Sequence, residues 1–337
     1  MNDDYLWNRT GEADPEIAAL ERLLRPLAHD GRKLDLRVAR PLPRGRSIAR
    51  QWVPPLALAA AIVLMVAGVW TVPDEGAGAW TIEALEGTPR LASQAVGGPV
   101  LVGPAGLLET DAGSRARLAL EGVGSIDVGS NTRMWLPKTR TGAIRLLLAR
   151  GSLDATISAA PGVFSVDTPT SRAVDLGCRY TLEVDANGTG VLHVTLGWVG
   201  LQWKGRESLV PAGALCATRA AQGPGTPYFE GATPAFVEAL SSIDRGVTDA
   251  GREAALTVLL EHARPLDAIT LWHLLPRLDR ASAARVYDGL AALAPPPAGV
   301  TKDRVLRRDR PALGAWWEGL GLGDLEELRK GLRGSYR

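Results

Sequence analysis

Few residues in this chain have the types and spacing that chemistry needs. The four histidines, His29, His193, His262 and His273, are scattered. His262 and His273 fall on two predicted helices, yet no His-x-x-x-His pair and no carboxylate at ligand spacing accompanies them. They read as ordinary core or surface histidines, and no metal or cofactor is expected. Cys178, taken as a nucleophile, would need a neighbouring base that the sequence does not indicate. There is no G-x-S-x-G, no Walker loop and no G-x-G-x-x-G after a strand; Gly197-Trp198-Val199-Gly200 is strand-like. The expectation is a protein that is not an enzyme. The net charge of +1 gives no reason to expect direct binding to nucleic acid.

With no active site to organise the chain, its organisation comes from residues 52–72. These 21 residues contain no charged side chain, and Trp52 and Trp70 sit near the two ends. A helix of that length spans roughly 30 Å, the thickness of a bilayer's hydrocarbon core. The stretch is too long for the apolar region of a signal peptide, although Ala77-Gly78-Ala79 resembles a cleavage site, and no cysteine lies near it to mark a lipoprotein. A single transmembrane helix is expected. Arg32, Lys33, Arg37, Arg40, Arg44, Arg46 and Arg50 precede it against one acid, Asp35, whereas Asp74 and Glu75 follow it and no base appears until Arg90. Retention of positive charge inside puts the N-terminus in the cytoplasm and the C-terminal body outside. In that oxidising compartment the cysteine pair, Cys178 and Cys216, is a disulfide candidate, with two unpaired buried thiols as the alternative.

The tail, residues 1–51, starts a helix at Asp14-Pro15, where an N-cap acid precedes a proline at the first helical position. Ile17, Leu20, Leu24 and Leu27 then mark one helical face, with Trp7 in an apolar cluster upstream. A tail so small has no core to bury them in. These five residues are the candidates for docking on a cytosolic partner; a helix lying on membrane lipid is the alternative. Residues 30–50 form a basic linker that attracts anionic lipid.

Residues 77–230 change to a period of two. The runs 116–120, 125–128, 132–136, 145–149, 152–157, 163–166, 180–184, 191–196 and 199–203 alternate, and turn signals such as Asp111-Ala112-Gly113, Pro161-Gly162 and Asn187-Gly188 separate them. About a dozen short strands are expected, in a mainly β sandwich, roll or solenoid. Residues 233–337 return to helical spacing: Thr233-Pro234 opens a helix, breakers sit at Pro265, Asp279, Pro295-Pro296-Pro297 and Gly321-Leu322-Gly323, and helical hairpins are expected. Trp272, Trp316 and Trp317 read as core groups of this all-α region.

Seven pieces of the β region, in order, resemble the FecR domain family. They are Asp111-x-Gly113-Ser114-x-Ala116-x-Leu118-x-Leu120; Gly124-Ser125-x-Asp127-x-Gly129-x-Asn131-Thr132; Arg145-Leu146-x-Leu148-x-x-Gly151-x-Leu153; Phe164-x-Val166-x-Thr168-Pro169; Leu176-Gly177-Cys178-Arg179-Tyr180-x-Leu182-x-Val184; Val194-x-Leu196-Gly197-x-Val199; and Pro211-Ala212-Gly213. The resemblance spans roughly 100–220. It implies a single-pass regulator in the bacterial inner membrane, whose periplasmic β domain receives a signal from a periplasmic or outer-membrane protein or an envelope component. The cytoplasmic tail would control an extracytoplasmic-function sigma factor. The chain departs from the family in its short tail, in Cys178 where threonine is common, and in the helical region after 233. The alternative is a structural or scaffolding envelope protein whose outer domains bind peptidoglycan, polysaccharide or a protein complex.

Overall fold

The computed structural model describes residues 80–102, 106–136 and 143–334. The stretch 52–72 and the tail candidates Trp7, Ile17, Leu20, Leu24 and Leu27 lie outside these residues. No helix among the described residues is long and apolar enough to cross a membrane.

Eighteen strands precede seven α-helices among the described residues. The strands are β1 (Trp80–Glu86), β2 (Arg90–Leu91), β3 (Gln94–Ala95), β4 (Val100–Val102), β5 (Gly106–Glu109), β6 (Arg115–Leu120), β7 (Gly124–Val128), β8 (Arg133–Leu136) and β9 (Ile144–Ile157), followed by β10 (Phe164–Asp167), β11 (Arg172–Asp175), β12 (Arg179–Val184), β13 (Gly190–Leu196), β14 (Trp198–Trp203), β15 (Arg206–Pro211), β16 (Ala214–Arg219), β17 (Gly223–Pro224) and β18 (Tyr228–Phe229). They form two ladders. The first runs β4-β1-β6-β7-β9-β12-β13-β16, with β17 and β18 on β16. The second runs β3-β2-β5-β8-β9-β10-β11-β14-β15, and only its β9–β10 pair is parallel. Strand β9 belongs to both: its first half pairs β8 and β10, its second half β7 and β12. The runs expected as two strands, 145–149 and 152–157, are one bent strand. It turns at Gly151, whose φ of 101° is open to glycine and strained for other residues.

Alternation drives the sandwich. Along β6 every second side chain, Ala116, Leu118 and Leu120, is buried, and Ile126 and Val128 of β7 meet them across the ladder. Phe164, Tyr180, Leu182, Leu192, Val199 and Leu201 fill the space between the sheets. The β12–β13 hairpin turns where Asn187-Gly188 signalled it, with Asp185 Oδ1 accepting the Asn187 and Thr189 N–H groups (2.8 and 2.9 Å) and Gly188 at φ 81°.

The helices are α1 (Pro234–Arg245), α2 (Asp249–Glu261), α3 (Ala268–Leu274), α4 (Arg280–Leu293), α5 (Lys302–Leu306), α6 (Arg310–Gly319) and α7 (Leu325–Gly334). Their starts follow cap chemistry. Thr233 accepts from the Phe236 N–H, Thr248 from Gly251, Asp279 from Ala281 and Ser282, Thr301 from Arg304, and Asp309 from Ala312. Trp272, Trp316 and Trp317 are buried in a second core that also takes in Val174 and Leu209 of the second sheet and Leu176 just after β11. A mainly β region in the middle and a helical region at the C-terminus, as expected, are thus the architecture.

Candidate functional site

The helices pack on the outer face of β11, β14 and β15, and the most specific side-chain arrangements of the protein lie at that junction. Gly200 of β14 makes the seat. A Cβ there would stand 2.0 Å from Leu332 Cδ2, so α7 comes down on bare backbone. Gly162 accommodates the same turn of α7: a Cβ on it would meet the Gly331 carbonyl at 2.2 Å. Trp198 of β14 meets Trp317 of α6 at 5.5 Å between ring centroids, and Trp272 of α3 meets Trp317 at 4.8 Å.

A polar set locks the junction. His273 of α3 accepts the Leu209 N–H at Nε2 (3.2 Å) and donates from Nδ1 to the Ile269 carbonyl (2.9 Å). Burial, with Arg277 nearby, pushes its imidazole down to about 3. A neutral ring can accept at Nε2, whereas a protonated one cannot. Arg277 donates to the Glu207 carbonyl, Ser208 Oγ and Thr226 Oγ1 (2.7, 2.8 and 2.7 Å). Desolvation of its enclosed guanidinium, then repulsion from Arg206, brings it down to about 10. Asp244 of α1 balances both cations: it accepts from the Thr226 N–H and hydroxyl and from Arg206 Nη2 at 3.0 Å. Arg329 of α7 reaches Glu207 of β15 at 3.1 Å.

Between the sheet and α7 the packing leaves a groove of about 430 Å³. Pro161, Leu176, Trp198, Leu322 and Leu328 make its walls, and Glu327 and Lys330 stand on its rim. Its size and apolar lining suit the burial of an apolar group. Behind Leu176, on the inner side of the sheet, Asp175 is 1% exposed. Its Oδ1 accepts the Gly177 N–H at 2.8 Å, and the Cys178 thiol donates to its Oδ2. Desolvation outweighs these bonds and pushes the carboxyl up to about 6.

Cys178 and Cys216 are not joined. Both are free, buried thiols, so the expected disulfide is absent. Register gives the reason. Cys216 of β16 stands opposite Leu192, and Leu192 opposite Leu182. Two strand spacings across and four residues along separate Cys216 from Cys178, on the order of 15 Å against a bonding limit near 7 Å. Cys216 Sγ instead lies 3.3 Å from the Gly225 carbonyl, and Cys178 bonds Asp175. Burial raises both thiols, Cys216 to about 12.

Asp175 and Arg277 escaped sequence reading, and His273 reads there only as an ordinary histidine, because an acid inside an apolar run, or a histidine on an apolar helix, announces no partner. No group of metal-ligating residues is found among the described residues.

Residues of three of the seven family-like pieces meet at the end of the sandwich where β8 begins. Thr110 Oγ1 donates to the Gly129 carbonyl (2.6 Å) and accepts the Thr132 N–H (2.9 Å). Thr132 Oγ1 accepts the Ser152 N–H (3.0 Å), and the Asn131 N–H donates to the Asp111 carbonyl (3.0 Å). Asn131 has a φ of 54°, and Ser114 Oγ accepts the Thr88 N–H (3.0 Å). Gly151 completes the knot, since a Cβ on it would lie 2.2 Å from Thr132 Oγ1.

No known family model matches the sequence, and no curated protein matches it. Two crystal structures of a candidate anti-sigma factor from Parabacteroides distasonis ATCC 8503, at 1.65 and 2.50 Å resolution, are similar to part of it. Each is 13% identical, with a TM-score of 0.33, over 40% of this chain and 64% of the other. The chain spans less than two thirds of the length of those structures, and the case for its role rests on its own residues.

Proposed function

We propose that this chain is a membrane-anchored regulator of FecR type, which relays a signal received by its β domain outside the membrane to a cytosolic extracytoplasmic-function sigma factor. The observation that carries the reading is the knot at Thr110, Asp111, Gly129, Asn131, Thr132 and Gly151. Residues up to 41 positions apart (110 to 151), most of them members of the family-like motifs, meet in one hydrogen-bonded cluster. Shared turn motifs that close one tertiary cluster support a common fold better than any motif does alone. The apolar stretch 52–72 and the charge asymmetry around it support the anchor and its orientation, with the N-terminus inside. The tail face Ile17, Leu20, Leu24 and Leu27, with Trp7, is the proposed sigma-factor contact. The groove beside Trp198 is the proposed place where the outer signal is received, by a protein or an envelope component. Catalysis has no part in this reading.

The test is a bacterial two-hybrid or pull-down assay of residues 1–51 against sigma factors encoded beside this gene. Leu20→Asp with Leu24→Asp is expected to abolish capture. Capture that ignores both substitutions sinks the proposal. Deleting 1–29 from the full chain separates the regulator from an envelope scaffold: a regulator loses transcriptional output, a scaffold keeps its outer binding.

A further inference from the structure

The second sheet has an outer face that is covered at one end only. Across β14 and β15 it lies under α7, with Leu332 on Gly200 and Arg329 on Glu207. Across β5, β8 and β9 the described residues leave Trp135 and Leu147 exposed on it, with Leu107 half-buried beside them. There Leu107, Trp135 and Leu147 stand in one register row, Leu107 opposite Trp135 and Trp135 opposite Leu147. Trp135 is 37% and Leu147 42% exposed. Arg133 lies over the Trp135 ring at 5.1 Å and reaches Glu109 at 3.5 Å, and Arg145, 54% exposed, flanks Leu147 and pairs with Asp167.

Trp80, where the described chain begins, pairs with Val102 at the end of β4. Four residues later β5 begins at Gly106, which pairs with Leu136, the residue after Trp135. The start of β1 and the Leu107–Trp135–Leu147 row therefore share one end of the sandwich, about one sheet spacing, ~10 Å, apart. The same end exposes 75% of Leu101 on the edge strand β4. Only residues 73–79 separate Trp80 from the apolar stretch, a tether of at most about 25 Å. An exposed tryptophan and leucine beside arginines, on a face tethered that closely to the proposed anchor, match the chemistry of the headgroup boundary. The indole prefers the interface, the leucine buries in it, and guanidinium forks take lipid phosphates.

We infer that this face rests on the membrane surface, with Trp135 and Leu147 dipping into the headgroup region and Arg133 and Arg145 exchanging their Glu109 and Asp167 partners for anionic phosphates. The inference depends on the anchoring proposed above. It gives the anchored domain a fixed attitude, with the α7 groove on the covered half of the same sheet.

The full chain carrying Leu147→Cys, labelled with a fluorophore, is reconstituted in vesicles of phosphatidylethanolamine and phosphatidylglycerol with a headgroup-region spin-labelled lipid as quencher. Cys178 and Cys216 are buried and stay unlabelled. A Val191→Cys label, at the opposite end of the sandwich, is the control. Several-fold stronger quenching at 147 than at 191, reduced by Trp135→Ser with Arg145→Gln, supports the inference. Equal, weak quenching at both sites in vesicle-bound chain overturns it and leaves the face for a protein partner or solvent. Release of the chain from vesicles by alkaline carbonate overturns the anchor itself, and the inference with it.

Discussion

Replacing Asp175 by Asn tests the buried acid beside the groove through the pH dependence of stability. In the folded chain the carboxyl is pushed up to about 6 by desolvation, from an ordinary value of 3.8. Between those values the folded state holds a proton that the unfolded state has lost. Stability from this group is therefore full at low pH and falls as pH rises through the folded value. The whole cost above pH 6 is about 3 kcal/mol, and the portion lost between pH 4.5 and 7.5 is about 2 kcal/mol. His273 acts in the opposite sense. Its folded value, about 3, lies below the ordinary 6.5, so it withdraws stability as pH falls from about 6.5 towards 3. A wild-type pH curve alone thus mixes the two, and the quantity to read is the difference between wild type and Asp175→Asn. The amide keeps an oxygen for the Gly177 N–H and does not titrate. Thermal midpoints of the detergent-solubilised chain at pH 4.5 and 7.5 measure it. The variant should gain about 2 kcal/mol on wild type between the two pH values, several degrees in midpoint for a domain of this size. A difference that is flat with pH, or that favours the variant at low pH, refutes the assignment of a raised carboxyl in the core.

Three further outcomes follow from the packing. Gly200→Ala should destabilise the junction by about 1–3 kcal/mol, and Leu332→Ala in the same chain should recover part of that loss; strictly additive midpoints would show that α7 is not seated there. Gly151→Ala places a Cβ 2.2 Å from Thr132 Oγ1 at a φ of 101° and should cost more than Gly162→Ala or Gly200→Ala, with denaturant midpoints as the check. Cys178 and Cys216 should resist alkylation in the native chain, react fully in denaturant, and show no bridge in non-reducing peptide maps.

Much of the architecture follows from local pattern. Alternation placed the runs of β6, β7, β8, β12, β13 and β14, because a residue's face in a strand depends only on its parity. Thr233-Pro234 marks a helix start, because its side chain satisfies an N–H group one turn on; Asp279, read as a breaker, caps α4, and Asp309 caps α6. Strands β1 to β5 and β11, β15 and β16 were not legible. Most are short or interrupted by Gly and Pro, and pairing partners far along the chain hold them. The bend at Gly151 was equally hidden, since a glycine between two alternating runs reads as a turn whether the ladder stops or continues through it.

The sequence by itself determined the apolar stretch 52–72, the basic flank before it, and the change from two-residue to helical periodicity near 233, all properties of residues and their near neighbours. Tertiary structure decided what depends on distance across the fold. It kept Cys178 and Cys216 two strands apart and unbonded, and it set Asp175 in the core, where desolvation outweighs two hydrogen bonds. It seated Leu332 on Gly200 and left Trp135 and Leu147 exposed on the second sheet. Burial and register are sums over many remote residues, and those positions carry no local mark of the outcome.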